Sequence, residues 1–91
     1  MRKIEQAMNG AIALGINWAS GNTTVTTDTW GDSDVYLHGN HIAVVRADGT
    51  VDVNKETLAR WSTVTTKSRL RALGADVTTR KGITYLDGVA V

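Results

Sequence analysis

The sequence predicts an α+β fold: an antiparallel sheet of about four to six strands, with an N-terminal helix and a second short helix packed on one face. Three observations point to it. Apolar residues near the start recur at helical spacing. The middle of the chain alternates apolar and polar residues around two-residue turn signals. A second helical segment near residue 70 is followed by one more pair of β-rich runs. A chain of 91 residues rarely divides, so residues 1–91 are expected to form one domain.

Residues 2–16 predict the first helix. Ile4, Met8, Ala11, Ile12 and Gly15 make one apolar stripe. Gly10 and Gly15 each weaken it by about 1 kcal/mol relative to alanine, and are expected to allow close packing on the sheet in return. Ser20-Gly21-Asn22 marks a turn. Thr23–Thr27 alternates around Val25 and predicts a strand. It carries no charge, so as an edge it is free to pair across a two-fold axis in a homodimer. Asp28–Asp34 predicts a loop carrying Trp30.

Val35–Asn54 predicts two consecutive hairpins. Gly39-Asn40 suits a type II′ turn and Asp48-Gly49 a type I′ turn. Those turns set Leu37 opposite Ile42, Val35 opposite Val44, Val44 opposite Val53 and Arg46 opposite Val51. Val35, Leu37, Ile42, Val44, Val51 and Val53 then share one apolar face. Tyr36, His38, His41, Ala43, Val45, Thr50, Asp52 and Asn54 fall on the other. Lys55–Trp61 predicts a short helical turn. Thr65 or Thr66 is expected to cap a helix running to Leu73, with Gly74 just past its end and Leu70 and Leu73 facing the core. Val77–Thr79 and Ile83–Leu86 predict a last hairpin around Arg80-Lys81-Gly82.

Composition removes several function classes. There is no cysteine, so disulfides, thiolate metal sites and cysteine nucleophiles are excluded, and a cytosolic setting is expected. No apolar run approaches the roughly 20 residues of a membrane span. Met1–Gln6 does not read as a signal peptide, because Glu5 and Gln6 interrupt where apolar residues should follow. The net charge of +1 implies no general electrostatic grip on nucleic acid. The charge is nevertheless uneven. Residues 22–54 hold five aspartates against one arginine, a net of −4. Residues 55–81 hold seven lysines and arginines against Glu56 and Asp76, a net of +5. Such asymmetry marks either a basic binding face or mutual attraction between two halves of the fold.

Four groups of residues are candidates for chemistry. His38 and His41 flank the first predicted turn, which makes them cross-strand neighbours able to share a proton or a metal ion. A metal needs further ligands, and only Asp34 lies nearby. The alternative is a solvated hairpin tip. Ser20-Gly21-Asn22-Thr23 has exposed donors but lacks the lysine and spacing of a phosphate-binding loop, so an Asx-type turn is expected. Lys67, Arg69 and Arg71 stand near a helix N-terminus, where hydroxyls, free N–H groups and the helix dipole favour phosphate oxygens. With Arg80 and Lys81 they form a candidate surface for DNA or RNA; the competing reading is a capped amphipathic helix with a solvated basic side. Trp18, Trp30 and Trp61 are large aromatics in a chain without phenylalanine. Core packing is expected of Trp18 and Trp61, although Trp61 beside Arg60 is also placed to stack on a base or a partner. Trp30, in a polar loop, reads as an interface anchor.

Three segments together resemble a known group. They are Asn17-Trp18-Ala19-Ser20-Gly21-Asn22-Thr23, Val35-Tyr36-Leu37-His38-Gly39-Asn40-His41-Ile42-Ala43, and the run from Trp61 to Leu73, Trp-Ser-Thr-Val-Thr-Thr-Lys-Ser-Arg-Leu-Arg-Ala-Leu. In this order the chain resembles small uncharacterised accessory proteins of tailed bacteriophages, over roughly residues 1–86. The resemblance implies a phage protein made in the cytoplasm of the infected host, and supplies no catalytic residue. The expected function is therefore a non-enzymatic binding module without cofactor or metal. Its partner is expected to be a host or phage protein, met through Trp30 and the sheet face that carries Tyr36, His38 and His41. Nucleic-acid binding through the helix at 66–73 is the alternative, and a small histidine-dependent nuclease is a third.

Overall fold

The first element is the helix that the apolar spacing predicts. A computed structural model of the chain describes residues 1–91, and its helix α1 spans Lys3–Leu14. Met8 and Ala11 are buried on its inner side. Neither Gly10 nor Gly15 packs closely on anything, since no neighbouring atom lies within 4 Å of where a Cβ would stand. The expected close helix–sheet approach at these glycines is therefore absent; Gly15 only closes the helix end.

Five antiparallel strands follow in simple order: β1 (Trp18–Ser20), β2 (Thr23–Thr27), β3 (Ser33–Leu37), β4 (Asn40–Val45) and β5 (Val51–Val53). β1 was not expected. It pairs with β2 through Trp18↔Val25, so β2 is an interior strand and the expected two-fold pairing along Thr23–Thr27 is blocked. Two short helices come next, α2 (Lys55–Arg60) and α3 (Val64–Leu73). A second antiparallel sheet closes the chain, with β6 (Val77–Arg80), β7 (Ile83–Leu86) and β8 (Val89–Ala90). The α+β class is as predicted, and α2 stands where a short helical turn was expected; beyond β1, the additions are β8 and the separation of the last hairpin into a sheet of its own. No helix is long and apolar enough to cross a membrane.

Helix α3 begins earlier than predicted. Its cap is Thr63, whose Oγ1 accepts from the Thr66 backbone N–H at 3.1 Å, and Thr66 is itself buried inside the first turn. Such a cap contributes about 1 kcal/mol. Gly74 ends the helix as expected.

The register in the central hairpins differs from the prediction. The first turn is His38-Gly39, not Gly39-Asn40, and both residues have positive φ (52° and 78°), the pattern of a type I′ turn. Leu37 then faces Asn40, and Tyr36 faces His41. One residue further on, Val35 faces Ala43, so Ile42 is an extra residue in β4, a β-bulge. Both Ile42 and Ala43 are buried as a result. The second turn also differs. The Gly49 N–H donates to the Arg46 carbonyl at 2.8 Å and Gly49 alone takes positive φ (89°), giving a three-residue loop rather than a type I′ turn. Val45 therefore faces Val51 and Ala43 faces Val53. Ala43 and Val45 move to the inner face and Val44 to the outer one, opposite Asp34 and Asp52. A shift of one residue exchanges the faces because strand side chains alternate.

The core lies between the inner face of the large sheet and the three helices. Val25, Val35, Leu37, Ile42 and Ala43 of the sheet meet Met8 of α1, Leu58 of α2 and Leu70 of α3. Val77 and Leu86 carry the small sheet into the same cluster. Burying a side chain of this size contributes about 1.5–3 kcal/mol.

Candidate functional site

The outer face of the large sheet has no helix over it. Thr24, Asp34, Tyr36, His41 and Val44 are half-buried there, and Thr26, Arg46 and Asp52 are exposed. At its centre His41 Nε2 lies 2.9 Å from Asp34 Oδ1, and His41 Nδ1 lies 3.3 Å from Asn54 Nδ2. The Tyr36 ring meets the imidazole edge-on at 5.3 Å.

The tautomer follows from the helix cap. Asn54 Oδ1 accepts the Thr57 backbone N–H at 3.1 Å and so caps α2. The Asn54 amide must then turn its NH₂ toward His41, which makes Nδ1 the acceptor and leaves Nε2–H to donate to Asp34. Both ring nitrogens are engaged. Neither is open to a metal or to a substrate proton without breaking a hydrogen bond. His38 is elsewhere: it occupies the turn, exposed, with left-handed backbone. The expected cross-strand imidazole pair does not form, because the turn begins one residue earlier than predicted. No group of three potential metal ligands is assembled anywhere in the structure.

The cations of α3 separate. Arg69 is 3% exposed and points inward. Its Nη1 donates to Glu5 Oε2 at 2.8 Å, its Nε to Thr23 Oγ1 at 3.0 Å, and its Nη2 to Asn22 Oδ1 at 3.3 Å. The expected phosphate contact at Arg69 is thus corrected: this guanidinium ties α3 to α1 and β2. Burial raises the Glu5 pKa, but hydrogen bonds from Ser68, Arg69 and the Arg2 backbone, with the Arg69 charge, outweigh it and hold the carboxyl below its ordinary value. Lys67 Nζ donates to Thr79 Oγ1 at 2.7 Å, and Arg71 Nε to the Val77 carbonyl at 2.7 Å. Both lean onto β6 rather than outward. Arg80 stands 5.0 Å above the Tyr85 ring, and Lys81 occupies an exposed turn with positive φ. Of the five cations, Arg69 is withdrawn into the interior, while Lys67, Arg71, Arg80 and Lys81 stand on or beside β6.

The tryptophans also divide. Trp18 packs on the core, as expected. Trp61 is exposed, 5.9 Å from the Arg60 guanidinium, rather than a core residue. Trp30 is 81% exposed. Its loop is nevertheless well tied. Asp28 Oδ1 accepts from the backbone N–H groups of Trp30 (2.9 Å) and Asp32 (3.1 Å), and Asp32 Oδ1 accepts from that of Ala47 at 2.9 Å. An indole on a braced loop loses little entropy when a partner covers it.

Two important residues were not recognised in the sequence. Asn54 had a signal, since an asparagine directly before Lys-Glu-Thr-Leu is a cap pattern. Glu5 also had one: with Met8 and Ile12 it lies at helical spacing on the apolar side of α1, where an unpaired carboxylate is not tolerated.

A family model described as Kyanoviridae Gp96 protein matches residues 1–90. The chain belongs to this family and is a small protein of tailed bacteriophages. No curated protein and no solved structure matches it.

Proposed function

We propose that this phage protein is a non-enzymatic binding module that docks on a host or phage protein in the cytoplasm of the infected cell. The observation that carries the reading is the uncovered outer face of the large sheet, with Trp30 held out on a braced loop at its end. Half-buried Tyr36, His41 and Val44 give the face apolar area, and Asp34, Arg46 and Asp52 give it a polar surround. That composition resembles a protein-binding patch with one aromatic anchor. The engagement of both His41 ring nitrogens, and the placement of His38 in the exposed turn rather than opposite His41, support a binding role over a hydrolytic one. The burial of Arg69 speaks against the nucleic-acid alternative at α3.

The test places a photocrosslinking residue at Trp30 or at Thr26 on the outer face, and at Ala13 on the exposed side of α1, in infected cells. The expected result is one defined protein crosslinked from Trp30 and Thr26 and none from Ala13. Equal products from all three positions, or a nucleic-acid adduct in place of a protein, would overturn the reading.

A further inference from the structure

The large sheet has two edges, β1 and β5, and only β5 has a cavity beside it. In the β4–β5 ladder the Arg46 N–H donates to the Thr50 carbonyl at 2.8 Å, and the Asn54 N–H donates to the Ile42 carbonyl at 2.9 Å. Residues 50, 52 and 54 thus turn their backbone groups toward β4. Val51 and Val53 turn theirs the other way. Nothing pairs with them, since β5 ends the sheet. Proteins usually blunt such an edge with lysine, proline or a bulge. Val51-Asp52-Val53 has none of these three; only its shortness and the charge of Asp52, which is taken up by Arg46, guard it.

Beside this edge lies a cleft of about 430 Å³, between β5 and the far wall formed by the end of α3 and the end of β7. Its apolar lining comes from Val51, Val53, Leu73 and Leu86. Its charged lining is three carboxylates, Asp52, Asp76 and Asp87, against the single ammonium of Lys55. Asp52 is already paired with Arg46 at 2.8 Å. Asp76 and Asp87 enter none of the four ion pairs of the structure.

We propose that the free edge of β5 and this cleft receive an extended, lysine- or arginine-bearing segment of a partner protein as an added strand. The N–H and C=O groups of Val51 and Val53 supply the ladder, as in recognition by strand addition. One face of the segment sets apolar side chains against Val51, Val53, Leu73 and Leu86. Its basic side chains reach Asp76 and Asp87, and the excess of carboxylates disfavours an acidic segment. The site shares only Asp52 with the rim of the outer face and does not depend on the reading given for that face.

The experiment is an NMR titration of the ¹⁵N-labelled protein with a short end-blocked peptide of alternating valine and lysine. Saturable downfield shifts of the Val51 and Val53 amide protons are expected. The Asp76→Asn/Asp87→Asn variant, with its spectrum otherwise native, should bind about fivefold more weakly. The same peptide N-methylated on the amides that would face β5 should not bind. The Trp30→Ala variant should bind the unmodified peptide unchanged. Absence of shifts at millimolar peptide would overturn the proposal. So would equal binding of the N-methylated peptide, or of a counterpart with glutamate in place of lysine.

Discussion

Two carboxylate–base pairs stand on opposite sides of the same sheet, and they differ in burial far more than in length. Glu5 and Arg69 lie 2.8 Å apart beneath the inner face, each 3% exposed. Asp34 and His41 lie 2.9 Å apart on the outer face, at 38% and 33% exposure. Distance alone would rank them as equals. The surroundings do not: water screens the outer pair, while the inner pair has only protein groups to replace its hydration. The inner pair has those groups. Ser68 and the Arg2 backbone complete Glu5, Thr23 and Asn22 complete Arg69, and no buried side-chain nitrogen or oxygen is left without a partner. A buried ion pair adds little net stability over a well-packed apolar pair, yet it is costly to break from one side. Its contribution here is positional, because it accepts only one placement of α1, α3 and β2.

Arg69→Met should separate the two regions most sharply. It strands the Glu5 carboxylate and should cost about 3–5 kcal/mol in urea unfolding. The double variant Glu5→Leu/Arg69→Met should recover most of that loss. If the single variant cost under about 1 kcal/mol, the inner pair would behave like a surface pair and the contrast would fail.

Acid gives the next largest effect. The folded-state pKa of Glu5 lies below its ordinary value, so its contribution to stability is present above that ordinary value. It is lost as pH falls through the folded-state value. Stability measured across this acidic range should drop in the parent protein and drop less steeply in Glu5→Gln. Parallel pH profiles for the two proteins would refute the assignment.

The outer pair should respond least. Asn54→Ala removes the α2 cap together with the His41 contact, and should cost about 1–2 kcal/mol in thermal or urea unfolding. Asp34→Asn should cost under about 1 kcal/mol. A larger loss at Asp34 than at Asn54 would show that the Asp34–His41 hydrogen bond, rather than the cap, organises this face.

Much of the element map was legible from residues close together in the chain. The stripe of Met8 and Ala11, the glycine after Leu73 and the turn residues of the β-rich runs act within a few positions of themselves. The faces of Val35, Leu37, Val51 and Val53 were legible as well, but that of β4 beyond Ile42 was not. The type I′ turn at His38-Gly39 moves the partner of Leu37 from Ile42 to Asn40, a shift of two that keeps Tyr36 and His41 on the outer face. The bulge at Ile42 then exchanges the faces of the rest of β4, and the three-residue loop at Ala47–Gly49 exchanges them back, so Val51 and Val53 stay inward. Gly39 and Gly49 announce turns without stating which partner residue shares them. Trp30 was readable as exposed, because its loop is polar throughout. Arg69 was not readable as buried, since its own helix offers no acid to meet it.

The sequence by itself determined the α+β class, the sites of the helices and most of the strands, and the absence of any thiol chemistry. Periodicity, caps and composition are local properties, and they need no knowledge of the rest of the chain. Only the tertiary structure decided that β4 changes face beyond Ile42, that Glu5 and Arg69 meet across 64 positions, and that β5 is left with an open edge. Each of these depends on where separate elements come to rest. That placement follows from burying one common core, a balance of all the apolar residues together that no short stretch of sequence contains.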